Sequence, residues 1–315
     1  MKLHLEKEVF QEFITLSAVE FNINPIFVEK DYWITLVLSR LAKSKYVDES
    51  VFKGGTSLSK GYNLIERFSE DVDIAIINDK DKTGNEIKTI IRNIEKEITP
   101  DLKELQLDGV TSKGSRFRKS VFEYVSTDKS NQNNKLIVEV NSFANPFPFQ
   151  RLTIQSFVFD FLMQTNNGKY IEQYNLQPFE VNVLSKEQTL LEKMVSLIRF
   201  SFEDNPVDSI SKKIRHFYDL YYLLQDPECI GFIASDEFKK QFDTILQHDR
   251  EMFEEPKGWQ NKLIAESPLV NDFSNMWKQL KDKYQTELSA LAYRPIPKEK
   301  EVAKSISELI SRINV

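Results

Sequence analysis

The stretch DVDIAI at residues 71–76 constrains this chain most, because it alternates acids and aliphatics with the period of a β-strand. Side chains at i and i+2 point the same way in a strand. Asp71 and Asp73 therefore share one face, while Val72, Ile74 and Ile76 share the other. The aliphatic face belongs in a core. The acidic face has two readings: an edge strand with solvated acids, or two carboxylates with a cation between them.

Upstream, Gly54 and Gly55 are two of only nine glycines in 315 residues, which predicts a tight turn or a close backbone approach. A strand through VFK, a turn at Gly54-Gly55 and a helix opening at Thr56 or Ser57 would present N–H groups and hydroxyls to an anion. The spacing of a P-loop is absent. An anion-binding turn followed by a carboxylate pair is what phosphoryl chemistry on a nucleoside triphosphate needs. In KLIVEVNSF, Ile137, Glu139 and Asn141 share a strand face opposite Leu136, Val138 and Val140. Glu139 is then either a third metal-binding carboxylate or an acid at a sheet edge.

Composition narrows the chemistry. Cys229 is the single cysteine and His4, His216 and His248 are scattered, which excludes an intramolecular disulfide, a thiolate zinc cluster and a histidine metal site. Any metal must be held by carboxylates, which points to magnesium or manganese. With 41% hydrophobic and 29% charged residues and no apolar run of membrane length, the chain is expected to be globular with no membrane partner. Its start carries Glu6, Glu8 and Glu12 and lacks the apolar core of a secretory signal, so a cytoplasmic location is expected. The net charge of −6 argues against a general nucleic-acid coat. It leaves room for a local patch such as SKGSRFRKS, where Lys113, Arg116, Arg118 and Lys119 surround Phe117 and could meet RNA or simply solvent.

Periodicity predicts helices over 5–21 and 25–42, with Asn24 as N-cap and Pro25 at the first helical position. A helix near 57–66 and another through EIKTIIRNIEKEI follow, then strands in SVFEYVST and KLIVEVNSF joined by a polar hairpin at 128–135. From Ser185 a capping box with Gln188 opens a helix, and further helices are predicted over 210–224, 236–247 and 268–292. The lysine-rich tail at 298–304 is expected to be a solvated helix or linker. The expected architecture is α+β: helices over 1–48, a mixed-sheet domain over 49–184 and a helical domain over 185–315.

The segment FKGGTSLSKGYNLIERFSEDVDIAI resembles the first two motifs of the AbiEii/AbiGii-type toxin nucleotidyltransferases, of the DNA polymerase β-like superfamily, which also includes the similar MenT-type toxins. LLEKMVSLIRF is similar to the third motif, with Lys193 and Arg199, and RHFYDLYYLL to the fourth, with Arg215 and Asp219 one helical turn apart. The upstream VEKDYWITLVL also resembles this group. The resemblance implies a polymerase β-like fold, with magnesium or manganese on Asp71, Asp73 and Glu139. It further implies nucleoside triphosphate contacts from Lys53, Gly54, Gly55, Thr56, Ser57, Arg67, Lys193, Arg199 and Arg215, and an orienting or catalytic role for Asp219. The implied activity is transfer of a nucleoside monophosphate, with the tRNA 3′ end as acceptor, by a toxin with a cognate antitoxin. Protein or small-molecule nucleotidylation and a non-catalytic nucleotide-binding module are the alternatives. The family often has aspartate where this chain has His216, so no role transfers there.

Overall fold

The computed structural model describes residues 1–69, 71–77, 82–128 and 134–313. The chain divides into two compact units, residues 1–63 with 68–184 and residues 64–67 with 185–315.

The first unit is α+β. Its strands are β1 (Ser50–Lys53), β2 (Asp71–Ile76), β3 (Lys103–Leu105), β4 (Ser112–Lys113), β5 (Phe117–Glu123), β6 (Lys135–Asn141), β7 (Phe149–Ile154) and β8 (Phe179–Leu184). Its helices are α1 (Lys7–Phe21), α2 (Pro25–Lys43), α3 (Gly54–Lys60), α4 (Gly84–Ile98), α5 (Phe157–Gln164) and α6 (Lys169–Tyr174). The strands form one mixed sheet in the order β3-β5-β6-β2-β1-β8-β7, with β4 on β5. β2 runs parallel to β6 and antiparallel to β1, which places the acidic strand in the sheet interior. The edge-strand reading of Asp71 and Asp73 is thereby removed. Val72 and Ile74 lie in register with Val138 and Val140 and all four are fully buried. α2 and α4 pack on this unit's sheet, and α4 inserts the stripe Ile87, Ile91, Ile94 and Ile98.

α2 begins as its sequence predicts, with the Asn24 side chain accepting from the Ile26 N–H and Pro25 in the first turn. The helix predicted near 57–66 differs: it starts at Gly54 and stops at Lys60. Gly61 closes it through its N–H to the Ser57 carbonyl, and Asn63 turns the chain in a left-handed conformation. β5 and β6 pair antiparallel as predicted, although residues 129–133 of the predicted hairpin connection lie outside the described residues.

The second unit is helical: α7 (Lys186–Phe200), α8 (Pro206–Ser211), α9 (Arg215–Leu223), α10 (Pro227–Ile233), α11 (Asp236–Met252), α12 (Pro268–Asn271), α13 (Phe273–Leu291) and α14 (Glu299–Ile313). Ser185 caps α7, accepting from the Gln188 N–H at 3.1 Å. The single helix predicted over 210–224 is broken between Ser211 and Arg215. The lysine-rich segment 298–304 is not a linker: it is helical from Glu299 and exposed or half-buried apart from the buried Val302. α14 buries Val302, Ile306, Leu309, Ile310 and Ile313 and packs on α9 and α13. No helix among the described residues is long and apolar enough to cross a membrane.

Candidate active site

Strand register builds the acidic site. Lys53 on β1 stands opposite Asp73 on β2, Asp73 opposite Glu139 on β6, and Glu139 opposite Lys119 on β5. Opposed residues on neighbouring strands share a face, so four strands carry a row of Lys, Asp, Glu and Lys. Asp71 flanks the row two residues from Asp73. Adjacent strands are about 4.8 Å apart, so the two carboxylates meet at close quarters.

Burial pushes Asp73 well above the usual carboxylate range, and the charges of Glu139 and Asp71 push it further. Burial also raises Glu139, against the opposing pull of Lys119. An excess of negative charge held out of water favours a cation.

The glycine turn shapes this site from behind. Gly54 has φ of +81°, and a Cβ there would overlap the Asp73 carboxylate. The Thr56 hydroxyl donates to the Asp71 carbonyl, tying α3 to the start of β2, and the Ser57 hydroxyl donates to the Gly54 carbonyl at 2.8 Å. Both side chains are buried. The hydroxyls expected to meet phosphate are therefore engaged with backbone, while Gly54 provides room for Asp73.

The donor set of Asp71, Asp73 and Glu139 is all oxygen, which suits a hard divalent cation, and the missing Cβ at Gly54 makes room for the Asp73 carboxylate. Among the described residues, no group of three His, Cys, Asp or Glu side chains is already arranged to hold a metal ion. Glu139 Oε2 lies 3.5 Å from Lys119 Nζ.

A second polar cluster lies in the helical unit. Asp219 on α9 is fully buried and accepts from Arg67, Nε to Oδ1 at 2.7 Å and a terminal guanidinium nitrogen to Oδ2 at 2.6 Å. Lys193 on α7 reaches Asp219 Oδ2 at 2.8 Å, and its Nζ lies 3.3 Å from His216 Nδ1. Burial alone would raise Asp219, but Arg67 and Lys193 hold it well below the usual range. Burial and the charge of Lys193 push His216 well below its ordinary value, so its ring is neutral. Asp219 is thus placed to orient Lys193.

Several predicted residues sit differently from expectation. Arg67, implied as a triphosphate contact, is a buried partner of Asp219. Arg215, implied as another, pairs with Glu287 at 3.0 Å. The Arg199 guanidinium stacks 3.8 Å from the centre of the Phe253 ring and has Asp249 at 3.8 Å. The basic stretch is divided by strand alternation: Arg118 turns to Glu95 on α4 at 2.7 Å, Lys119 to Glu139, and Lys113 to Glu104 at 2.6 Å. The sequence reading missed Lys119 as a member of the acidic row. Pairing β5 with β6 residue by residue was the signal that could have found it.

The sequence matches the family described as "Nucleotidyl transferase AbiEii toxin, Type IV TA system" over residues 36–304. Comparison with curated protein sequences gives no match. Among solved structures, the fold is similar to that of MenT4, a nucleotidyltransferase toxin from Mycobacterium tuberculosis H37Rv. The TM-score is 0.55 and the identity 14%, over 96% of this chain and 89% of that one. An antigenic nucleotidyltransferase-like protein from Paracoccidioides brasiliensis aligns at a TM-score of 0.33 and 16% identity, over 70% of this chain and 89% of that one, too distant to carry an argument.

Proposed function

Because the chain belongs to the AbiEii family of nucleotidyltransferase toxins, we propose that it transfers a nucleoside monophosphate from a nucleoside triphosphate to the 3′ end of tRNA. In this reading the sheet unit is a polymerase β-like transferase domain. The protein acts in the cytoplasm as the growth-inhibiting half of a toxin–antitoxin or phage-defence pair. The observation that carries the reading is the register of Asp73 against Glu139 beside Asp71, in a chain of this family. The tRNA acceptor rests on the resemblance of the four sequence motifs to this toxin group.

Magnesium or manganese held by Asp71, Asp73 and Glu139 would lower the pKa of the acceptor hydroxyl and neutralise charge on the phosphates. The chain's own residues do the rest. Gly54 keeps the Asp73 carboxylate unobstructed, and the Thr56 bond to the Asp71 carbonyl fixes the strand end that presents both acids. Lys53, beside Asp73 in the row, is assigned to the triphosphate. In the helical unit, Lys193 is assigned to phosphate binding, with Asp219 holding its ammonium in place. The acceptor oxygen bonds to the α-phosphorus, the bond from that phosphorus to the bridging oxygen breaks, and pyrophosphate leaves. The hydroxyl proton passes to solvent.

The test is label transfer from each of the four α-labelled ribonucleoside triphosphates, with magnesium or manganese, into total tRNA and total protein. Wild type is compared with Asp71→Ala. The expected result is label in tRNA from wild type and none from the variant. Label in protein alone would replace the acceptor, and equal labelling by Asp71→Ala would overturn the site.

A further inference from the structure

The row Lys53, Asp73, Glu139 and Lys119 contains one member that the transfer reaction does not call for. Lys119 stands on β5, opposite Glu139 in register, and its ammonium lies 3.5 Å from Oε2. Two neighbouring cations are committed elsewhere: Arg118 turns to the other face and binds Glu95, and Lys113 binds Glu104. Lys119 is therefore directed at the carboxylate cluster by the alternation of its strand.

We propose that Lys119 is a tethered counter-ion of the acidic site, competing with the divalent cation for Glu139 and so setting the affinity of metal binding. This deepens the proposed function and rests on it. The geometry favours exchange over permanence. The Lys119 side chain is 30% exposed and that of Glu139 23% exposed, so the ammonium has a path to water on a long flexible stem. A partly exposed pair of this kind is weak enough for a divalent ion to displace. The opposed pairing also offsets the repulsion between adjacent acids: Asp73 and Glu139 sit side by side at the centre of the row, with Lys53 and Lys119 at its ends and Asp71 flanking it. In the ion's presence Glu139 turns to it, and Lys119, released, is available to an anionic group of the substrate.

The experiment measures Mn2+ binding to the full chain without nucleotide, by loss of the free-ion electron paramagnetic resonance signal. It compares wild type, Asp71→Asn, Lys119→Met, Glu139→Gln and the Lys119→Met/Glu139→Gln double variant, with thermal unfolding of each. Lys119→Gln replaces Lys119→Met should the latter fail to fold. Removing the competing ammonium is expected to tighten Mn2+ binding roughly three- to tenfold. The gain should vanish in the Glu139→Gln background, because the competition is for that carboxylate. Unchanged or weaker binding by Lys119→Met would overturn the proposal. So would a gain of the same size without Glu139, which would make Lys119 only a general repulsive charge. Failure of the metal reading looks different: wild type and Asp71→Asn would bind Mn2+ equally or not at all, and the Lys119 proposal would fall with it.

Discussion

Gly54 shows how much of this site hangs on one missing carbon. Its φ of +81° lies where an L side chain is strained by about 1–2 kcal/mol, and the added methyl would strike the Asp73 carboxylate. Gly54→Ala is therefore expected to destabilise the chain by more than about 1 kcal/mol in urea unfolding and, on the proposed function, to abolish label transfer by displacing the Asp73 carboxylate. Asp219 is the corresponding residue of the helical unit. Asp219→Asn leaves Arg67 and Lys193 with no buried countercharge, an expected loss of about 3–5 kcal/mol at pH 7. Lys193→Met should cost less, because Asp219 keeps both hydrogen bonds from Arg67. The depressed carboxyl also fixes a pH dependence. Its stabilisation is complete above the unfolded carboxylate value of about 3.9 and is lost as pH falls through the lower folded value. The stability gap between wild type and Asp219→Asn, followed by urea unfolding, should therefore close only in strong acid.

Elements were legible in the sequence where the local signal and the tertiary role agree. Asn24-Pro25 marks the start of α2, and the acid–aliphatic alternation of β2 is preserved in a sheet that buries one face of it. The shared face of Asp71 and Asp73 was legible for the same reason, but the pairing of Asp73 with Glu139 and of Glu139 with Lys119 was not, because register between strands is a tertiary fact. β7 and β8 were missed: FQRLTI mixes polar and apolar residues without clean alternation, and in FEVNVL the polar Asn182 is buried with its neighbours, so polarity marks no solvent face at the end of β8. The lysines at 298–304 mark only the exposed start of α14; its buried stripe runs beyond them, with Val302, Ile306, Leu309 and Ile313 at spacings of four, three and four. α5 carries a prediction of its own. Its Ser156 cap accepts from the Phe159 N–H, while Asp160 in its first turn is pushed up to about 6 by burial, with Lys60 opposing and Asp31 adding. A carboxyl raised on folding favours the protonated folded state, so stability falls as pH climbs from about 4 toward 6 and stays reduced above. Asp160→Asn removes that loss. It should stabilise the protein by about 1 kcal/mol at pH 8, after allowance for partial exposure, and leave it unchanged at pH 4 in urea unfolding.

At the scale of the whole molecule, a change of period at Ser185 is visible in the sequence, but the contribution of Leu64–Arg67 to the helical unit is not. Those four residues are distant in sequence from their partners, and the basic side chain among them looks like a surface charge until Asp219 is placed in three dimensions. In the structure the Tyr293 N–H donates to the Glu66 carbonyl at 3.0 Å, Arg67 bridges to Ala292, and the Arg67 guanidinium grips Asp219. A fragment cut at 185–315 would keep every helix of the unit and lose this segment. It would bury Asp219 and Lys193 without the bidentate partner, at a cost comparable to breaking a buried ion pair, about 3–5 kcal/mol. That is a large share of the roughly 5–15 kcal/mol by which ordinary domains are stable. The isolated fragment is therefore expected to show helical circular dichroism without a cooperative melting transition, whereas the full chain melts cooperatively. A sharp transition in the fragment would mean that residues 64–67 only decorate the unit, and that the Asp219 cluster is sustained by Lys193 alone.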